Sequence, residues 1–75
     1  MFDRKIMGRV IRRLRDEKGL SLEVLSGLAG MMRSQLGDVE RGQRGMMLET
    51  FWRLAEALDM SPAELQAEIE KEDKS

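Results

Sequence analysis

The chain contains 75 residues, of which 36% are charged and 41% hydrophobic, and its net charge at pH 7 is −1. This length suits one small domain, and the composition is typical of a folded, helix-rich protein. Cysteine and histidine are absent, which excludes disulfides, thiolate nucleophiles and the common zinc ligands, and no apolar run approaches the ~20 residues of a membrane span. The sequence therefore predicts a cytoplasmic protein that is not an enzyme and has no metal or cofactor.

Charge is distributed unevenly along the chain. Residues 1–20 have a net charge of +4, residues 21–45 are neutral, and residues 46–75 have a net charge of −5. A local basic region can attract nucleic acid even when the whole chain is slightly acidic. The arginines of the first segment (Arg9, Arg12 and Arg13) are equally compatible with a solvated helix face.

Apolar residues three and four positions apart predict two helices in the first part of the chain. The first has Ile6, Val10, Ile11 and Leu14 as its apolar positions. It is expected to stop at Lys18-Gly19, a basic last turn followed by a helix-ending glycine. Ser21 is expected to cap the second helix, whose apolar positions are Leu25, Leu28 and Ala29 and which Gly30 ends.

Three further helices are predicted in the remainder. The third runs from about Met32 to Glu40, with Leu36 and Val39 inward and Arg33, Ser34, Gly37 and Asp38 outward. The fourth covers roughly Leu48–Leu58 and buries Leu48, Phe51, Leu54, Ala55 and Leu58. The fifth opens with Ser61-Pro62-Ala63-Glu64, a capping box with proline in the first turn. Residues 70–75 form an acidic tail that is expected to fray.

Three blocks of the sequence resemble a known family. IRRLRDEKGLSLEVLSGLAG, then SQLGDVERG, then LETFWRLAEALDMSPAEL are similar to the phage repressor and Cro type of helix-turn-helix (XRE family), over residues 6–66. The resemblance implies an all-α, five-helix DNA-binding domain in which helices two and three form the helix-turn-helix. It also implies a homodimer that binds a roughly palindromic operator as a transcriptional regulator, with the third helix in the major groove.

Carried over residue by residue, the resemblance implies a DNA-binding surface. Its members are Ser21, Arg33, Ser34, Gln35, Asp38, Arg41, Gln43 and Arg44. Arg33 and Ser34 fall where the family contacts base edges, whereas Arg41 and Arg44 fall in the loop that meets phosphates. Arg15 and Glu40 match an ion pair that joins the first helix to the end of the third, and we interpret it as structural.

The sequence departs from this family at three polar positions. Leu22 stands where a backbone-contacting glutamine is usual, and Met32 and Met47 stand where hydroxyl residues usually cap the third and fourth helices. With Met46, Trp52 and Met7 they could form an exposed apolar patch, which is typical of a protein interaction site. The candidate interface residues are Met32, Met46, Met47, Trp52, Leu65 and Ile69.

This patch supports an alternative function. The chain could be a protein-binding module on a helix-turn-helix scaffold, such as an anti-activator or a corepressor, whose methionine-rich face replaces the DNA contacts. Trp52 could serve a dimer interface or pack beneath the fifth helix, and spacing alone does not separate these two placements.

Overall fold

The computed structural model describes residues 3–74 and contains five helices. They are α1 (Arg4–Glu17), α2 (Leu22–Leu28), α3 (Arg33–Glu40), α4 (Leu48–Ala57) and α5 (Pro62–Lys74). All regular secondary structure in this part of the chain is helical, which confirms the predicted all-α, five-helix class. No helix within residues 3–74 is long and apolar enough to cross a membrane.

Side-chain caps fix the starts of three helices. The Asp3 carboxylate accepts hydrogen bonds from the backbone N–H groups of Lys5 and Ile6 at the start of α1. Ser21 caps α2 by accepting from the Val24 N–H at 3.0 Å. At α5 the Ser61 hydroxyl accepts from the Glu64 N–H while the Glu64 carboxylate accepts from the Ser61 N–H. The predicted capping box is thus confirmed.

A single core forms where α1 packs on α3 and α5, and where α4 packs on α2 and α5. Its fully buried large side chains are Met7, Val10, Ile11, Leu25, Leu36, Val39, Leu54, Leu58 and Leu65. Leu36 and Val39 face this core, as the sequence predicts, so the opposite side of α3 is turned to solvent. The core therefore determines which side of α3 can meet a partner.

Several expected placements are wrong. Leu28 and Leu48 were expected in the core but are exposed, because Leu28 lies off the buried side of α2 and Leu48 is the first residue of α4. Met7, expected at an exposed patch, is a core residue. Gly37 lies on the outer side of α3, as expected, but the side chain of Arg41 covers it there.

The fifth helix continues into the acidic C-terminal segment. Residues 70–74, part of the tail that is expected to fray, belong to α5, and residue 75 lies outside the described residues. Lys71 and Lys74 lie in the last turn of α5, where their positive charges interact favourably with the helix dipole. Lys71 also forms an ion pair with Glu68 at 3.3 Å. Ile69, which is buried against the core, ties this part of the helix to the domain.

Candidate nucleic-acid interface

The turn between α2 and α3 gives the two helices their relative orientation. Gly30 has a φ of +67°, a left-handed conformation that glycine adopts without a Cβ penalty. The N–H of Met31 donates to the carbonyl of Ser26 at 3.0 Å, which closes the end of α2. Four residues, 29–32, thus connect a short helix to the one that follows.

An ion pair fixes the C-terminal end of α3 to α1. Arg15 donates to both carboxylate oxygens of Glu40, from Nε at 2.7 Å and from Nη2 at 2.9 Å. Its Nη1 donates to the carbonyl of Leu20 at 3.0 Å. The side chains are 13% and 7% exposed, and the hydrogen bond that Arg15 donates to Glu40 raises the pKa of Arg15. The bidentate geometry holds the helix in one orientation relative to α1.

A close backbone approach brings α1 against the same end of α3. A Cβ placed on Gly8 would lie 2.4 Å from the carbonyl oxygen of Val39 and 2.6 Å from that of Glu40. Only glycine allows the two helices to be this close. Sequence reasoning missed Gly8, although an isolated glycine inside a strongly periodic helix is a signal of close packing.

The solvent-facing side of α3 carries the residues that were expected to contact bases. Arg33 and Ser34 are exposed in its first turn, and Asp38 is half-buried one turn further on. The Asp38 carboxylate accepts a hydrogen bond from Arg41 Nη2 at 2.6 Å. Gln35 is different, because its side-chain oxygen accepts from the backbone N–H of Met32 at 3.0 Å and so closes the start of the helix.

The remaining residues expected at DNA lie on either side of this helix. Gln43 and Arg44 are exposed in the loop between α3 and α4. Ser21 is exposed at the start of α2, where its oxygen is already the cap acceptor. Its hydroxyl proton is still available to a further acceptor such as a phosphate oxygen.

Methionines occupy the N-cap positions of both α3 and α4. Within residues 3–74, the side chains of Met32 and Met47 accept no capping hydrogen bond from the backbone N–H groups of the helices that they start. Met32 is 66% exposed and Met47 73% exposed, as expected for an apolar patch. At α3 the Gln35 side chain accepts from the N–H of the N-cap residue Met32, which is the reverse half of a capping box and does not replace the N-cap acceptor. Both helix starts therefore combine free backbone N–H groups with an exposed thioether.

An apolar groove lies between the start of α1, the start of α4 and the end of α5. Its volume is about 620 Å³, and its lining includes Ile6, Met46, Leu48, Phe51 and Ile69. Leu48 is 73% exposed at its edge, and Trp52, one turn further along α4, is 52% exposed and so is not buried beneath α5. Leu65 has no exposed surface, so its expected place in an interface is wrong, whereas Ile69 reaches the groove.

These features define a helix-turn-helix protein: a short α2, a tight glycine turn, and an α3 whose inner side is anchored and whose outer side is polar. The chain belongs to the helix-turn-helix domain family, which matches residues 6–67. The resemblance to the repressor and Cro type is thereby confirmed.

Three similar proteins illustrate the relationship. An uncharacterized HTH-type transcriptional regulator of Sinorhizobium fredii, y4dJ, is 40% identical over 62 residues, which are 83% of this chain and 80% of y4dJ. The control protein C.SmaI of Serratia marcescens is 36% identical over 62 residues, covering 83% of this chain and 74% of C.SmaI. The crystal structure of the restriction-modification controller protein C.AhdI from Aeromonas hydrophila is 49% identical, with a TM-score of 0.81 and coverage of 84% of this chain and 96% of C.AhdI.

Proposed function

We propose that this protein is a sequence-specific, repressor-like transcriptional regulator that binds double-stranded DNA as a homodimer on a roughly palindromic operator. The observation that carries the proposal is the construction of α3. Leu36, Val39 and the Arg15–Glu40 pair hold its inner side, while its outer side presents polar groups to solvent. A rigid helix with a polar outer face is what the major groove accepts.

The similar proteins support this role. Those named above are a transcriptional regulator, a control protein and a restriction-modification controller. A protein that controls transcription acts where the DNA is, which supports the proposal of a cytoplasmic location. Control of a restriction-modification system is the most specific role that these relatives suggest.

Four exposed polar residues around α3 have proposed tasks. Arg33 at the first turn of α3 would donate twice to a guanine, because its planar fork matches the two acceptors of that base. Arg44 and Gln43 in the following loop, together with Ser21, would contact phosphates and position the helix. The acidic charge of residues 46–75 would then lie away from the duplex.

Fluorescence anisotropy tests the proposal directly. Duplexes selected by the protein from a randomised library are titrated in parallel with random-sequence DNA at low and physiological salt. We expect the selected duplex to bind much more tightly, with an affinity that falls steeply as salt rises. Equal and weak binding to both duplexes at both salt concentrations would contradict the proposal.

Substitutions at two arginines separate base reading from phosphate binding. Arg33→Ala should relax the preference at one base pair, with a cost of about 1–3 kcal/mol on the selected duplex. Arg44→Ala should weaken binding to all sequences alike and reduce the slope of log affinity against log salt by about one. If Arg33→Ala weakened all sequences alike, Arg33 would be a phosphate contact.

The groove and the exposed α4 residues offer the dimer interface. Leu48 and Trp52 lie one helical turn apart on the exposed side of α4, and aromatic residues are enriched at interfaces. Leu48→Glu should therefore yield a monomer in sedimentation at micromolar concentrations and weaken operator binding without loss of helix content. A wild-type protein that sediments as a monomer at high micromolar concentration would refute the dimer.

The exposed methionines favour one other function. Met32 and Met47 place apolar surface at helix starts where phosphate contacts would otherwise form, which suits a protein partner bound in place of DNA. Such a module would show little DNA affinity even at low salt. It would instead bind another regulator, and Met32→Glu would abolish that complex.

A further inference from the structure

The side chain of Arg41 returns along α3. Arg41 follows the last helical residue and keeps helical backbone angles, with φ −84° and ψ −1°. Long side chains of helical residues point back toward the helix N-terminus. Accordingly, Arg41 Nη2 donates to the Asp38 carboxylate at 2.6 Å, one turn earlier in the helix.

Gly37 provides the space that this return requires. A Cβ on Gly37 would lie 3.2 Å from Arg41 Nη1 and 3.8 Å from Cζ, so the guanidinium lies directly over the glycine. This explains why a residue on the outer side of α3 is buried. A glycine inside a helix lowers stability by about 0.5–1 kcal/mol relative to alanine, and here it creates a place for a guanidinium.

Helical geometry places all three residues on the polar face of α3. At about 100° per residue, Arg33, Ser34, Gly37, Asp38 and Arg41 fall within an arc of about 140°. Arg41 lies near the middle of that arc, opposite Leu36 and Val39. The side chain of Arg41 is 60% exposed, so much of the guanidinium is presented outward.

We propose that Arg41 and Asp38 act as one unit that reads a base pair, rather than Arg41 being a phosphate contact of the following loop. The inference rests on the proposed DNA-binding function. Asp38 is a positioning residue: it holds the guanidinium against Gly37, and the N–H groups that do not bond to Asp38 remain to meet the two acceptors of a guanine. Without Asp38, a flexible arginine would turn to the nearest phosphate.

The test measures the ratio of affinities for the selected duplex and for random-sequence DNA. Asp38→Asn removes a negative charge, so random-sequence binding should strengthen about twofold. The selected-to-random ratio should nevertheless fall about tenfold, because the arginine is no longer positioned. The two opposite changes distinguish positioning from simple charge repulsion.

Three further variants complete the test. Arg41→Lys keeps the charge but loses the fork, so the ratio should fall about tenfold, whereas the matched control Arg44→Lys should leave it unchanged. Gly37→Ala keeps all charges but displaces the guanidinium, and should lower the ratio while the salt slope stays constant. Asp38→Asn combined with Arg41→Lys should lower the ratio no further than either change alone, because both disable one unit.

The outcomes are distinct. If Asp38→Asn strengthened binding to both duplexes equally, Asp38 would only withhold Arg41 from DNA, and the inference would be wrong while the proposed function stood. An unchanged ratio in Arg41→Lys would overturn it likewise. A wild-type protein with no preference for any selected duplex would overturn both the inference and the proposed function. Circular dichroism of each variant checks that the helices persist.

Discussion

Gly8→Ala tests whether the spacing between α1 and α3 depends on the absence of one side chain. The new Cβ would meet two backbone carbonyl oxygens at 2.4 and 2.6 Å, and neither can rotate away as a side chain could. Overpacking typically costs about 1–3 kcal/mol, and contacts with backbone on this scale belong at the upper end. Alanine recovers about 1 kcal/mol of helix propensity. We therefore expect a net loss of about 2 kcal/mol.

This loss is large for so small a domain. At 0.05–0.15 kcal/mol per residue, the whole domain has a stability of about 4–11 kcal/mol. A loss of about 2 kcal/mol should lower Tm by roughly 8–16 °C. Thermal and urea unfolding, followed by far-UV circular dichroism at one fixed protein concentration, measure the change, since dimerisation makes Tm concentration-dependent.

Gly27→Ala is the matched control. Gly27 also lies inside a helix, α2. Apart from its two chain neighbours and the nearby backbone of α2, no described atom comes within 4 Å of a Cβ added at Gly27. The same substitution should therefore raise stability by up to about 1 kcal/mol. Opposite signs at the two glycines support the packing argument. A Gly8→Ala protein as stable as wild type would refute it.

Three other predictions concern stability. Removing one member of the Arg15–Glu40 pair leaves a poorly solvated charge and should cost about 3–5 kcal/mol of folding stability. Replacing both residues with Met and Leu should restore much of the loss. Urea unfolding of the wild type, the two single variants and the double variant measures both effects. Met32→Ser should add about 1 kcal/mol by capping α3, and an unchanged urea midpoint would contradict this prediction. The hydrogen bond from Arg13 lowers the pKa of Glu68. The contribution of this bond to folding stability is therefore complete above the ordinary pKa of about 4.3 and is lost as pH falls through the lowered pKa. Glu68→Gln should accordingly lower Tm at pH 7 and have less effect at pH 2–3, and a loss that did not depend on pH would point to packing instead.

Helical periodicity identified the buried face of α3 correctly and most of the buried residues of α2 and α4, but it misplaced Leu28 and Leu48. In α2 the buried side includes Ser26, whose hydroxyl donates to the carbonyl of Glu23 at 3.0 Å and so needs no water. Because Ser26 belongs to the buried side of α2, Leu28 lies on the solvent side of that helix. A short helix with several leucines has more than one plausible inner side, and hydrophobicity alone does not choose between them.

The candidate site was predictable where a residue acts through its position on a helix. Arg33 and Ser34 are exposed on α3, since the core residues of that helix determine which of its sides faces solvent. The family pattern made this placement predictable. The role of Arg41 was not predictable in this way. As a loop residue it suggested a phosphate contact, and only the return of its side chain over Gly37 connects it with Asp38.

The sequence by itself determined the number of helices, most of their ends and the family, and the resemblance to that family implied the Arg15–Glu40 pair. The number and ends of the helices depend on local signals: apolar spacing, caps, glycines and short motifs whose physics acts over a few residues. The tertiary structure decided how closely α1 approaches α3, which leucines reach solvent, and where the Arg41 guanidinium lies. Each of these depends on the distance between atoms far apart in the chain, or on the path of a flexible side chain, and spacing along a sequence does not specify either.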